Sequence, residues 1–221
     1  MEKKKGKILP IILIIVLIAI LILLTITIRK IIIINDLNEK VIAQNSKTNI
    51  FMKSHSDSLE EEIYKKDNVV KAIFDNKETK IKTTQITNNT TRLLYTESNS
   101  EKTLESYSDT TNYGNIIPNS VNTLGFLNSI TFSISSNIYT DTFNGKECYV
   151  LINNKNPNWF IPQECKDLKI YIEKESGLPL KTIEVYDNGQ EKTTTYEYFF
   201  DVVTDDDVKP LDNSQYISKI E

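Results

Sequence analysis

The run from Ile8 to Ile28 constrains this chain more than any other feature. It is nearly all Ile, Leu and Val, broken only by Pro10, Ala19, Thr25 and Thr27, and it carries no charge. As a helix rising 1.5 Å per residue it covers about 31 Å, the thickness of a bilayer's hydrocarbon core. Pro10 falls in the first turn, where its missing N–H costs nothing. A signal peptide shares the basic-then-apolar pattern, but its apolar stretch is shorter and small residues mark a cleavage site after it, which this sequence lacks. A soluble protein would have to bury the run as a central helix, and the rest of the chain offers it no helical partners. The run therefore reads as a retained signal-anchor and a single transmembrane helix. Neither cysteine follows it closely enough for a lipidated N-terminal Cys.

Lys3, Lys4, Lys5 and Lys7 precede the run, while Arg29, Lys30 and the more distant Lys40 follow it, diluted by Asp36 and Glu39. That bias puts residues 1–7 in the cytoplasm as a short tail and everything after residue 28 outside the cell membrane. Ile31 to Ile34 prolong the helix past Arg29 and Lys30, whose long side chains can reach the head groups. The formal net charge of -4 and pI of about 5.3 argue against a nucleic-acid partner, which needs a basic face. The only two cysteines, Cys148 and Cys165, lie in the outward part. In an oxidising compartment they read as a disulfide worth about 3 kcal/mol, two buried free thiols being the alternative.

Residues 29–66 read as a stalk leading into an amphipathic helix. Leu59, Ile63 and Tyr64 follow helical spacing, and Ser58 ahead of Glu60, Glu61 and Glu62 resembles a capped, acid-rich first turn. From Asp67 the pattern changes to short β-rich runs between turn residues. Val69–Phe74, Thr79–Thr87 and Thr90–Glu97 are strands, followed after an irregular stretch by Ile130–Tyr139. Asn144-Gly145 then joins two further strands, the second carrying Cys148. Lys169–Lys174 and Leu180–Asp187 come next, and Asn188-Gly189 leads into Glu191–Val203. Helical pattern at the start and consecutive strands afterwards give a mainly β, α+β class, an antiparallel sheet needing a helical cover on one face.

No nucleophile with an adjacent base emerges, so the chain is not read as an enzyme, and no cofactor or metal site is expected. His55, the only histidine, sits in the polar stalk, and Asp205, Asp206 and Asp207 lack the spacing of a cation loop. The aromatic pair Trp159 and Phe160, with Leu124 and Phe126, offers the best ligand-binding candidates; Trp159 either caps a cavity mouth or fills the core.

One phrase goes further: Tyr171-Ile172-Glu173-Lys174-Glu175-Ser176-Gly177-Leu178-Pro179-Leu180-Lys181, preceded by Asn144 to Tyr149 and followed by Asn188-Gly189 and Tyr196 to Asp207. Gly177 can take a positive φ, and Pro179 opens a strand where no ladder N–H is required. This resembles bacterial proteins of the LolA/LolB-like lipoprotein-carrier superfamily, in particular membrane-anchored relatives from Gram-positive bacteria. The resemblance implies a curved antiparallel sheet, a half-barrel, over one or two helices, with an apolar cavity between them in residues 67–221. It implies binding of an acyl chain, a lipoprotein or another hydrophobic envelope ligand. A tethered domain cannot diffuse as a carrier does. The expected function is therefore a membrane-tethered extracytoplasmic binding module or, alternatively, a non-catalytic interaction and assembly protein that docks another protein of the cell envelope.

Overall fold

A computed structural model describes residues 5–108, 116–118, 136–153 and 165–219. Its first element is one unbroken helix, α1 (Lys5–Asn45), with Pro10 near its start. The segment from Pro10 is long and apolar enough to cross a membrane, and its most apolar window buries nothing against the rest of the protein. The second part of the same helix behaves differently. Ile34, Leu37 and Val41, spaced to share one face, are completely buried. Burial of that order contributes about 2 kcal/mol per side chain.

What they bury against is a twelve-stranded sheet. Six strands run as a meander: β1 (Asn49–Ser56), β2 (Leu59–Lys66), β3 (Val69–Asn76), β4 (Ile81–Thr87), β5 (Thr91–Glu97) and β6 (Lys102–Ser108). Five more form a second meander: β7 (Ser136–Phe143), β8 (Lys146–Asn153), β9 (Cys165–Glu173), β10 (Pro179–Tyr186) and β11 (Glu191–Phe200). β11 pairs antiparallel with β1 and joins the two, and β12 (Ile217–Lys219) adds to β6 in parallel, giving the order β12-β6-β5-β4-β3-β2-β1-β11-β10-β9-β8-β7. The sheet is curved and does not close, which matches the expected half-barrel with one N-terminal helix.

Antiparallel partners share a face, so the register assigns each residue to the helix side or the outside. On the helix side, Leu151, Leu168, Ile170, Ile172 and Leu178 form one core with Ile34, Leu37, Val41 and Ile117. On the outside the C-terminal segment takes over. Asn49 exchanges two hydrogen bonds with the backbone of Val203, at 2.8 and 2.9 Å. Fully buried Tyr95 donates to Asn213 Oδ1 at 2.9 Å and meets the Tyr216 ring edge-on at 5.0 Å. A smaller outer cluster of Cys148, Val150, Tyr171 and Leu180 covers β8–β10.

Three expectations are overturned. The stalk is not there: residues 29–45 continue α1, and Asn49–Ser56 is β1 of the sheet. Leu59–Lys66 is a strand, not an amphipathic helix. Its spacing fitted both periods, and ladders with β1 on one side and β3 on the other outweigh the acid-rich helix-start signal. The disulfide is also absent: Cys148 and Cys165 are free. Cys148 lies opposite Glu173 at one end of the β8–β9 pair while Cys165 opens β9 at the other. At 3.3 Å per residue the two stand about 26 Å apart, far beyond bridging distance. Sequence separation suggested a pair, but β8 carries the chain away from Cys148 along its length before β9 opens with Cys165.

Gly177 shows why the Ser-Gly-Leu-Pro phrase stands where it does. Its φ is +72°, and a Cβ there would meet Lys40 Cβ at 2.7 Å and the carbonyl oxygen of Leu37 at 2.9 Å. The β9–β10 turn thus touches the helix backbone itself, and Lys40 Nζ locks the contact by donating to the Lys174 carbonyl at 2.7 Å.

Two outcomes follow. Gly177→Ala should cost about 2 kcal/mol or more, whereas Gly145→Ala, at a similar φ of +78° but with open space around it, should cost about 1 kcal/mol; urea titration of the full chain in detergent, followed by circular dichroism, compares the two. Alkylation of the unreduced, denatured protein should add a label to each of Cys148 and Cys165, read by intact mass.

Candidate functional site

The inner face of the sheet divides into a part that α1 fills and a part that it borders. Over β7–β10 the helix core fills the space. Toward the other meander, the register places Tyr198 (β11), Met52 (β1), Ile63 (β2), Ala72 (β3), Gln85 (β4) and Leu94 (β5) in one row across the strands. Met52 and Ala72 are buried, and Ile63 and Leu94 are half-buried. With strands about 4.8 Å apart, the row from Met52 to Leu94 is an apolar stripe about 19 Å long, interrupted once by Gln85. The rows on either side are more polar: Ile50, Lys65, Val70, Thr87 and Arg92 on one, Ser54, Glu61, Phe74, Thr83 and Thr96 on the other.

The helix ends beside the stripe, at the next row of the sheet. Lys65 Nζ donates to the Asn45 carbonyl at 3.1 Å, satisfying one of the last-turn acceptors that a helix leaves open. The Asn45 side chain is 6% exposed, yet neither its amide nitrogen nor its oxygen has a hydrogen-bond partner in the protein. Asn38 Oδ1, Gln44 Oε1 and the Tyr198 hydroxyl are likewise buried without one. Buried polar atoms are almost always satisfied, so the Tyr198 hydroxyl, at the β11 end of the row, marks a place for a ligand's polar atom or a bound water. Burial holds the Tyr198 hydroxyl well above the ordinary phenol range. Burial likewise raises the Glu61 carboxyl, against the opposing effect of the Ser54 hydroxyl donating to it at 3.0 Å.

Beside Tyr198 the sheet splits. β11 pairs with β1 as far as Phe200, but with β10 only over Glu191–Thr195. The gap on the β10 side of residues 196–200 is a cavity of about 340 Å³ lined by Phe143, Glu173, Leu178, Leu180, Tyr198 and Phe200 among others. Tyr198 thus belongs to both the gap and the stripe.

Of the residues singled out in the sequence, Trp159, Phe160, Leu124 and Phe126 lie outside the described residues. His55 is an exposed outer-face residue of β1, its Nδ1 3.6 Å from Glu60 Oε1. The three aspartates each have their own partner: Asp205 pairs with Lys66 at 2.7 Å, Asp206 with Lys209, and Asp207 accepts from both the backbone N–H and the hydroxyl of Thr204 at 2.7 Å. Those contacts hold the Asp205 and Asp207 carboxyls below the ordinary range. Among the described residues no group of three or more His, Cys, Asp or Glu side chains could hold a metal. Sequence reading missed Tyr198, Asn38 and Asn45. The two asparagines lie in the segment read as a stalk, and their burial depends on the helix continuing into the domain.

No protein-family model and no curated protein sequence matches the chain. Solved structures do. An uncharacterized conserved protein from Thermus thermophilus matches with a TM-score of 0.54 at 9% identity, over 85% of this chain and 98% of that one. A putative outer membrane lipoprotein-sorting protein domain from Vibrio parahaemolyticus matches at 0.36 and 10% identity, over 78% and 94%. A LolA superfamily protein from Nitrosomonas europaea matches at 0.24 and 8% identity, over 73% and 88%. The first of these shows a shared fold and nothing of function.

Proposed function

We propose that this protein is a membrane-tethered, extracytoplasmic binding module for a ligand carrying an acyl chain, such as a lipid or a lipoprotein, and that it performs no catalysis itself. The observation that carries this reading is the apolar stripe from Met52 to Leu94, next to the buried Tyr198 hydroxyl that has no protein partner. An acyl chain would lie across the strands in contact with half-buried Ile63 and Leu94. Its polar group would meet the Tyr198 hydroxyl. The helix supports the tether: its apolar part is of membrane-spanning length and unburied, and the basic residues before it favour a cytoplasmic N-terminus.

A second reading rests on β7. Among the described residues it is the terminal strand of the sheet, and Asn137 and Tyr139 to Thr142 are exposed along it. A sheet edge of that kind can accept a strand from another envelope protein, which would make the domain an assembly factor.

Native mass spectrometry of the full chain extracted in mild detergent separates the two. The binding module should retain an adduct with the mass of an acyl-bearing lipid, and Leu94→Arg, placed in the half-buried stripe, should abolish it while Tyr139→Arg on β7 leaves it in place, with Arg29→Glu present in every chain compared so that lipid held beside the anchor adds nothing to the signal. In that background, a chain with Leu94 intact that carries no lipid, or an adduct indifferent to Leu94→Arg, would contradict the binding reading.

A further inference from the structure

A second opening lies lower on the molecule, apart from the stripe. Ile26, Arg29, Lys30 and Ile33 on α1 face Ile138, Thr140 and Tyr149 of the β7–β8 edge across a crevice of about 330 Å³, with Tyr139 at its rim. Its height is set by the sequence. The uncharged run ends at Ile28, and Ile34, the first fully buried helix residue, lies about 9 Å further along the axis. If the run spans a bilayer, the crevice straddles the level at which acyl chains give way to head groups.

The chemistry of the crevice changes with height in the same sense. Its lower wall is apolar: exposed Ile26 continues a groove formed by Ile18, Leu21, Ile22 and Thr25 along the unburied part of the helix. Its upper part carries two cations. Lys30 is held in place by donating to the Ser136 carbonyl at 2.6 Å, and no ion pair among the described residues involves Arg29 or Lys30. A third cation stands behind the rim, Lys169 Nζ lying 5.6 Å from the centre of the Tyr139 ring. Tyrosines are favoured at this level of a membrane because one end of the ring is apolar and the other wet.

We infer that this crevice holds an anionic phospholipid drawn from the surrounding bilayer, its phosphate on Arg29 and Lys30 and one acyl chain running down past Ile26 toward Ile22 and Ile18. The inference rests on the membrane-anchoring reading of α1 but is independent of any ligand on the stripe. The bound lipid would fix the β7–β8 edge against the membrane surface. A zwitterionic lipid presents the same phosphate, but its own ammonium competes with the two cations for it; the site therefore selects for net negative charge.

The test uses the full chain in detergent micelles, titrated with phosphatidylglycerol or with phosphatidylcholine of the same acyl chains and followed by native mass spectrometry. Phosphatidylglycerol should bind at least tenfold more tightly, Arg29→Glu should remove that preference, and Arg29→Lys should keep most of it. Thr140→Trp, which fills the crevice without changing charge, should also weaken binding, whereas Leu94→Arg should not affect it. Equal binding of the two lipids, or a preference untouched by both Arg29→Glu and Thr140→Trp, would overturn the site while leaving the anchor intact. Recovery of the full chain from the soluble fraction without detergent would overturn the anchor and the site together.

Discussion

The seating of α1 on the inner face of the sheet is the contact on which the rest of the structure depends. Ile34, Leu37 and Val41 cover Leu151, Leu168, Ile170 and Ile172, and the β9–β10 turn closes on the helix backbone at Gly177, where no side chain fits. A curved sheet that does not close must have its concave face covered, and here the cover is the continuation of the apolar helix that precedes it. The same forty-odd residues thus do two jobs that the sequence seemed to assign to separate elements.

That economy has a mechanical consequence. With a stalk between span and domain, the sheet could sample many orientations and reach some distance from the surface. With an unbroken helix entering the core, the domain's height and tilt follow those of the helix, and β7–β8 is kept beside the end of the apolar run. The inner-face stripe then lies on the far side of the helix seat, bordered by the helix C-terminus and by the gap at Tyr198.

Much of this was legible in the sequence, and the failures are instructive. The Asn144-Gly145 hairpin was readable because two residues with φ of +50° and +78° need that chemistry. The Asn188-Gly189 hairpin was also found, although there only Gly189 takes a positive φ, +80°, and the Asn188 side chain instead accepts from the Gln190 N–H at 2.9 Å. Gly177 was read as a turn glycine; that it is also a contact with α1, more than 130 residues away in sequence, has no local signal. Leu59–Lys66 failed for the same reason in reverse, since its local pattern was helical and its two ladder neighbours decided the matter. The C-terminal segment looked irregular because its partners, Asn49, Tyr95 and Glu97, all lie far upstream. The buried asparagines of α1 are ordinary in a solvated stalk and conspicuous only once the stalk is a core helix.

The continuity of α1 from its apolar run into the domain core is most directly measured by hydrogen–deuterium exchange of the full chain in lipid nanodiscs. If the helix is the cover of the sheet, amides of residues 34–41 exchange as slowly as those of residues 168–172 in β9 and open together with them under mild denaturant. Exchange of residues 34–41 orders of magnitude faster than β9, as in a solvated linker, would contradict it.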